Sequence, residues 1–326
     1  MTDSRRPFLQ MNATWPHPDD DDELMRMMCF ANPALLFLLK SASLELFMDA
    51  TFSMTPVPFY QTFIVMVFDR QTSMFVPITY ILMTNKTEAL YMHVLAQLTA
   101  LANFRLDVKS FTSDFERAMI NAGKHHFPGS THNGCFFHFK QAICKHMVEK
   151  LGFHWHYVSN FMIPGNLDLL CILPLDEIKP YGIPFLRDIF ESDLSLLADI
   201  YEDDNFDFEQ EEELKRWDMF WEYFERQWMP IKDSWNFSGL SEKEMESLKT
   251  TNNALESYNK HFSNLFKQGK VRLNEFVEVV EKESRDQAIA LEDIRRGRRK
   301  APKCPKKSGL EIPRAYNEIK ERDESG

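Results

Sequence analysis

The sequence predicts an α/β protein with a mixed sheet, and three observations lead to this fold class. Three apolar segments follow one another between residues 44 and 83 with short polar connections, as in an antiparallel meander of strands. From residue 87 the apolar residues recur with the period of a helix. Strands and helices then alternate to about residue 151, before a stretch with helical spacing alone, residues 155–240.

The meander is expected at Leu44–Phe52, Phe59–Asp69 and Met74–Met83. The second and third of these segments are rich in Val, Ile and Phe, which favour strands. The first contains a single carboxylate, Asp49, among apolar and aromatic residues. A lone ionised group in such a strand is costly unless a cation or a hydrogen-bond donor meets it. Asp49 is therefore a candidate metal ligand.

The next elements alternate in type. A helix is predicted over Thr87–Asn103, because Leu residues and Val94 fall on one face, and a fourth strand is predicted over Val108–Thr112. A helix over 116–126, a strand over 134–137 and a helix over 139–151 follow. A meander of three strands followed by helix, strand, helix, strand and helix is the order of an RNase H-like domain.

We divide the chain accordingly into five parts. Residues 1–43, which include an acidic run, are expected to form a partly disordered N-terminal arm. Residues 44–154 are the RNase H-like core, residues 155–249 an all-helical insertion and residues 250–294 helices that complete the core. Residues 295–326 are expected to be a basic, disordered tail.

The composition excludes several classes of protein. With 44% apolar and 13% aromatic residues, the chain is globular rather than disordered. Its net charge of −11 means that any contact with nucleic acid must come from a local basic patch. The five cysteines form no Cys-x-x-Cys pair, which fits a reducing compartment. We expect no secretory leader, because Arg5 and Arg6 are followed by polar residues and an acidic run, and no membrane partner, because no apolar run is long enough to span a bilayer.

Two carboxylates are expected at one edge of the sheet, because Asp49 lies near the end of the first strand and Asp114 follows the fourth. Two anions this close raise each other's pKa unless a cation lies between them, and magnesium prefers carboxylate oxygens. Glu256, on a predicted helix beyond the insertion, is the candidate for a third ligand. Taken singly, a strand-end Asp is more often a turn or cap residue and a helical Glu is more often solvated, so the prediction depends on all three.

Five separated segments resemble the Mutator-like element (MULE) transposase domain, in the order and with the spacing of that family. They are Asp49-Ala-Thr-Phe52, Val76-Pro-Ile-Thr-Tyr-Ile-Leu-Met83, Asp114-Phe-Glu-Arg-Ala118, Gly134-Cys-Phe-Phe-His138 with Gln141, and Thr251-Asn-Asn-Ala-Leu-Glu-Ser257. The resemblance extends from about Leu44 to Leu265, and residues 220–228 look like part of the family's helical insertion.

The resemblance implies a DDE triad on an RNase H-like fold, formed by Asp49, Asp114 and Glu256. These residues would hold a pair of Mg²⁺ or Mn²⁺ ions. The resemblance also implies cleavage of DNA at the ends of a mobile element and joining of the freed 3′ hydroxyl to target DNA, in the nucleus and without a small-molecule cofactor. A homo-oligomer is compatible with this activity, although no segment of the sequence specifies an interface.

Cys135 and His138 match the Cys-x-x-His element of the same family. By spacing they are half of a zinc site, since zinc takes four ligands. A buried cysteine with a packed or hydrogen-bonded histidine beside the active site is the favoured interpretation. Contact of His138 with DNA or with the scissile phosphate is a further interpretation and stays open.

The densest cationic segment begins where the predicted tail begins. Its first members, the candidate contacts to DNA phosphates, are Arg295, Arg296, Arg298, Arg299 and Lys300. Such a segment is typical of a nuclear localisation signal or of a phosphate-binding arm, and a solvated tail without a function fits it equally.

The alternative to an enzyme is a catalytically silent, transposase-derived nuclear protein that binds DNA or regulates transcription, or a truncated element copy. Full-length relatives carry a zinc-binding DNA-recognition domain ahead of this core, whereas 43 residues with one cysteine precede the first predicted strand here. We therefore expect sequence-specific recognition of element ends to be lacking. The presence of all three carboxylates favours the enzyme.

Overall fold

The computed structural model describes residues 7–192, 210–240, 257–266, 270–302, 312–317 and 320. The chain divides into two compact units. The first, the sheet unit, consists of Met1–Cys135 and Lys249–Pro305, and the second, the helical unit, consists of Phe136–Leu248 and Lys306–Gly326.

The sheet unit is built on seven strands. They are β1 (Leu9–His17), β2 (Asp20–Phe30), β3 (Leu44–Thr51), β4 (Gln61–Asp69), β5 (Met74–Met83), β6 (Val108–Ser113) and β7 (Thr131–Gly134). Their order in the sheet is β1-β2-β5-β4-β3-β6-β7. The pairs β3–β6 and β6–β7 are parallel and the other neighbours are antiparallel. The predicted fold class, α/β with a mixed sheet that contains a β3–β4–β5 meander, is confirmed.

The hairpin of β1 and β2 corrects our expectation of a poorly ordered N-terminal arm, which is wrong. Met25, Met27 and Cys29 alternate along β2 and are buried in the core. The end of β2 pairs with β5, and the acidic run occupies the hairpin turn and the start of β2. The period-2 pattern was missed because Met and Cys, rather than β-branched residues, occupy the inward positions beside that acidic run.

One face of the sheet is covered by helices α1 (Glu88–Leu101) and α2 (Arg117–His126). The side chain of Thr87 caps α1 by accepting a hydrogen bond from Leu90 N (3.3 Å), as the Thr at the start of the predicted helix would. The buried side of α1 packs into one apolar cluster with β3, β4 and β5. The predicted alternation of helices and strands after the meander is thus confirmed for α1, β6 and α2.

The other face of the sheet is covered by the last part of the sheet unit. Tyr258 and Phe262, in a helical segment described over 257–264, pack with Phe47 and Ile64 of the sheet. The helix Leu273–Arg295 packs on the same cluster through Phe276 and Val280, among others. The first residues of the predicted helices over 250–294, up to residue 256, lie outside the described residues.

The helical unit has an aromatic core. Its described helices are α3 (Phe136–Glu149), Trp155–Phe161, Leu169–Ile172, Ile183–Ser192, Gln210–Gln227 and Lys232–Trp235. Phe139 of α3 stacks on Trp235 (5.1 Å between ring centroids) and meets Trp228 edge-on (4.8 Å). These contacts hold α3 in the helical unit, so this unit begins at Phe136 and not at residue 155.

Two further expectations are corrected. The strand expected over 134–137 is β7, which ends at Gly134, because α3 already begins at Phe136. The tail expected to be disordered contains the buried Tyr316, whose hydroxyl donates a hydrogen bond to Glu177 in the helical unit (3.0 Å). None of the helices within the described ranges is long and apolar enough to cross a membrane.

Candidate active site

Asp49 lies on β3, on the face of the sheet that carries Phe47 and the 257–264 segment. Its side chain is buried, with 5% of the residue's surface exposed. Both carboxylate oxygens accept hydrogen bonds: Oδ1 from the backbone N–H of Ala50 (2.9 Å) and Oδ2 from the side-chain amide of Asn259. The charge that appeared costly in the sequence is therefore met by N–H donors on both oxygens.

Asp114 directly follows β6, the parallel neighbour of β3. The register pairs Leu46 with Phe111 and Phe47 with Thr112. The pairing ends at Phe47 and Thr112 and β6 ends at Ser113; continued by two residues, the same register would bring Asp114 level with Asp49 on the same face of the sheet. Because adjacent strands lie about 4.8 Å apart, we expect the two aspartates to lie close together at this edge of the sheet.

The loop after β6 fixes the direction of the Asp114 side chain. Asp114 is half-buried, and its Oδ1 accepts a hydrogen bond from the backbone N–H of Glu116 (3.0 Å) just ahead of α2. The hydroxyl of Ser113 donates to the backbone oxygen of Asp114 (2.9 Å). This turn holds Asp114 at the sheet edge although the strand has ended.

Glu116 adds negative charge to the same edge, and the sequence reasoning did not select it. Burial and the carboxylate of Asp114 raise the pKa of Glu116, while Lys86 and a hydrogen bond from the hydroxyl of Tyr91 oppose that rise. Gln61 in turn donates to the hydroxyl of Tyr91 (2.8 Å). The raised pKa of Tyr91, caused first by burial and then by Glu116, reflects the same concentration of anions, to which Asp114 and Asp49 also contribute.

The third predicted ligand, Glu256, lies outside the described residues. The described chain resumes directly after it, with Ser257, and the adjoining segment is attached to the sheet. The hydroxyls of Tyr258 and Tyr80 form a buried hydrogen bond (2.5 Å), and Asn259 reaches Asp49. Within the described ranges, which do not contain Glu256, no group of three His, Cys, Asp or Glu side chains is arranged to hold a metal ion.

Cys135 and His138 lie on either side of the division between the two units. Cys135, a free thiol, is buried, and its backbone N–H donates to Ser113 O (2.7 Å) beyond the end of β7. His138 lies in the first turn of α3 and packs edge-on against Phe137 (5.6 Å between ring centroids). The zinc interpretation and the DNA-contact interpretation of this pair remain predictions.

The basic residues after position 294 are for the most part engaged within the sheet unit. Arg295 ends its helix, forms an ion pair with Asp69 (3.2 Å) and lies over the ring of Phe37. Arg296 pairs with Glu292, and Arg298 with Asp293 at 2.7 Å. Arg299 and Lys300 are exposed and form no ion pair with another described residue, so they are the two members of the predicted phosphate-binding set that remain open to a ligand.

Comparison with models of protein families gives a match in the part of the chain that contains Asp49 and Asp114. Residues 45–142 match the family model of the MULE transposase domain. No curated protein matches the chain. The matched segment includes Asp49, Asp114, Cys135 and His138, whereas Glu256 and the basic residues lie beyond it. Over residues 45–142 the chain is therefore similar to the MULE transposase domain.

Proposed function

We propose that this protein is a DDE-type transposase core that cleaves DNA phosphodiester bonds with the help of divalent metal ions and joins 3′ hydroxyls to target DNA. The observation that carries the proposal is the parallel pairing of β3, which contains Asp49, with β6, which Asp114 directly follows. Within a segment that matches a transposase domain, two carboxylates at the carboxyl edge of the sheet are suited to binding hard cations.

The strand order supports an RNase H-like core. The five strands β5-β4-β3-β6-β7 consist of an antiparallel meander followed by two parallel strands, with Asp49 on the central one. This is the order that the sequence predicted for an RNase H-like domain. The β1–β2 hairpin extends the sheet at the β5 edge, away from the aspartates.

The attachment of Asn259 to Asp49 supports Glu256 as the third carboxylate. Residues three positions apart on a helix lie on one face. On the helix that the sequence predicts for this segment, Glu256 comes three positions before Asn259, the residue that contacts Asp49. We therefore retain Asp49, Asp114 and Glu256 as the proposed triad.

The chemistry of the donors fits Mg²⁺ or Mn²⁺ better than zinc. Carboxylate oxygens are ligands for hard cations, whereas structural zinc sites use mainly Cys and His. When bound, a pair of such ions supplies activation of a water or 3′ hydroxyl and stabilisation of the leaving oxygen. The protein's own contribution is positional: Ala50 and Asn259 fix the carboxylate of Asp49, and the turn at Glu116 fixes that of Asp114.

DNA and the nucleus are part of the proposal. The protein as a whole is acidic, with a net charge of −11, so phosphate contacts have to be local. Arg299 and Lys300 are exposed and suited to such contacts, while Arg295 is held by Asp69 and Phe37. The nuclear location and a homo-oligomeric state remain proposals that rest on the transposase domain.

The test is metal-dependent nicking of supercoiled plasmid DNA by the full chain. We expect nicking in Mn²⁺ or Mg²⁺ and none in EDTA. The nicking rate of Asp114→Asn should fall by more than about 100-fold, because loss of a metal ligand should cost at least as much as loss of a residue that hydrogen-bonds to a ligand. Asp286→Asn, at an exposed position on the Leu273–Arg295 helix, is the matched control and should nick like the wild type. Equal, residual nicking by wild type and Asp114→Asn would refute the proposal and favour the silent, DNA-associated alternative.

A further inference from the structure

We propose that Asn259 is a positioning residue for Asp49, whose amide N–H holds the aspartate in the orientation that accepts a divalent cation. This inference rests on the proposed function and extends it to a residue that does not itself touch the metal or the DNA. It is carried by the contact between the two side chains, which joins residues 210 positions apart in the chain.

The contact fixes a carboxylate that has little freedom. Asp49 is 5% exposed, and the Ala50 N–H holds its Oδ1 at 2.9 Å. The amide of Asn259 holds Oδ2. With a donor on each oxygen, rotation of the carboxylate about its Cβ–Cγ bond breaks at least one hydrogen bond to an ionised group, and such bonds are among the stronger ones in proteins.

The same contact is compatible with a bound cation. An ionised carboxylate offers about four acceptor positions on its two oxygens, two on each. The amide of Asn259 uses a single position on Oδ2, so the amide and a metal ion do not compete for the same lone pair. Asn259 therefore does not have to leave when a metal ion binds, and it can act as the outer-shell partner that orients a ligating carboxylate.

The backbone that presents Asn259 is anchored in the core. The neighbouring Tyr258 is 7% exposed and its hydroxyl is hydrogen-bonded to that of Tyr80, which is fully buried. One turn later, the ring of Phe262 stacks on Tyr80 at 5.7 Å between centroids. Two contacts on one buried tyrosine thus hold the segment against the sheet, and Asn259 is presented from a fixed support.

The test is the affinity of the metal-free full chain for Mn²⁺, measured by calorimetry together with the thermal unfolding midpoint of each variant. We expect Asn259→Ala to raise the Kd about 10–100-fold, the usual effect of losing an outer-shell partner. Asn264→Ala is the matched control, because Asn264 is an exposed asparagine on the same helical segment, and it should bind like the wild type. Asp114→Asn reports on the metal site itself and should lose binding.

The outcomes separate this inference from the proposed function. Loss of binding in Asp114→Asn with wild-type affinity in Asn259→Ala would refute the positioning role alone. A lowered unfolding midpoint with an unchanged Kd would show that Asn259 is merely structural and would also refute it. A wild type that binds no Mn²⁺ would overturn both proposals. If Asn259→Ala fails to fold, Asn259→Ser, whose hydroxyl is too short to replace the amide, is judged by the same Kd criterion.

Discussion

The helical unit contains a buried ion pair whose disruption has a predictable cost. Lys140 of α3 meets Asp168 at 2.7 Å, and the side chain of Asp168 is 3% exposed, that of Lys140 20%. The ammonium of Lys140 also donates to Met162 O (2.6 Å) and lies over the ring of Phe136. We expect Lys140→Met to leave the carboxylate of Asp168 buried without this ammonium.

The magnitude follows from the burial of the partner. Removing one member of a buried pair costs about 3–5 kcal/mol, because a charge then remains in a medium of low polarity without its counter-ion. For a unit of this size, such a loss should lower the unfolding midpoint by on the order of 10 °C. The double variant Lys140→Met with Asp168→Asn should recover much of the loss, because it removes both charges.

The same substitution at Lys145 is the matched control. Lys145 lies on the same helix and pairs with Glu149 at 3.9 Å, but its side chain is 67% exposed, so Lys145→Met should cost at most about 0.5 kcal/mol. Urea denaturation followed by tryptophan fluorescence reads the helical unit, which contains all the tryptophans except Trp15. Equal destabilisation by the two variants would refute the reasoning.

Two further predictions concern β7 and the packing of α2 on β6. Burial and Lys124 lower the pKa of His132 from 6.5 to about 4, so the unfolded chain binds the proton at a higher pH than the folded chain does. The free energy of unfolding should therefore fall by up to about 3 kcal/mol as the pH drops from about 6.5 to 4. In urea denaturation curves measured over this pH range, His132→Gln should show a smaller fall. A Cβ on Gly123 would lie 2.7 Å from the ring of Phe111, and Gly123→Ala should therefore destabilise the sheet unit by about 1–2 kcal/mol despite its gain in helix propensity. A Cβ on Gly129 meets nothing within 4 Å, so a Gly129→Ala variant as unstable as Gly123→Ala would contradict the packing argument. For His132→Gln, a free energy of unfolding that depends on pH as steeply as in the wild type would contradict the burial argument.

The part of the fold that the sequence predicted is the part with strong periodicity. The meander and α1 alternate or repeat with apolar residues of clear strand or helix preference, so β3, β4, β5 and α1 were located within a few residues. The β1–β2 hairpin was missed because its inward positions are Met and Cys beside an acidic turn. The boundary at Phe136 was missed because α3 has an apolar face, which shows that it is buried but not what it packs against.

The candidate site was predictable to the extent that it depends on strand ends. Asp49 lies near the end of β3 and Asp114 directly follows β6, and the parallel direction of these strands follows from the crossover from β5 to β6 through α1. Asn259 could not be assigned a role, because an asparagine on a predicted helix has no signal for a partner 210 residues away. Glu116 was overlooked because its burial against Tyr91 is a tertiary effect.

The most direct test of a catalytic metal site at this edge of the sheet is a change of metal preference. Asp114→Cys replaces a carboxylate with a thiolate, which binds Mg²⁺ poorly and softer divalent ions better. We expect the wild type to nick plasmid DNA in both Mg²⁺ and Mn²⁺, and Asp114→Cys to nick in Mn²⁺ but not in Mg²⁺. Nicking by Asp114→Cys that equals the wild-type rate in both metals would contradict coordination of the catalytic ion by Asp114.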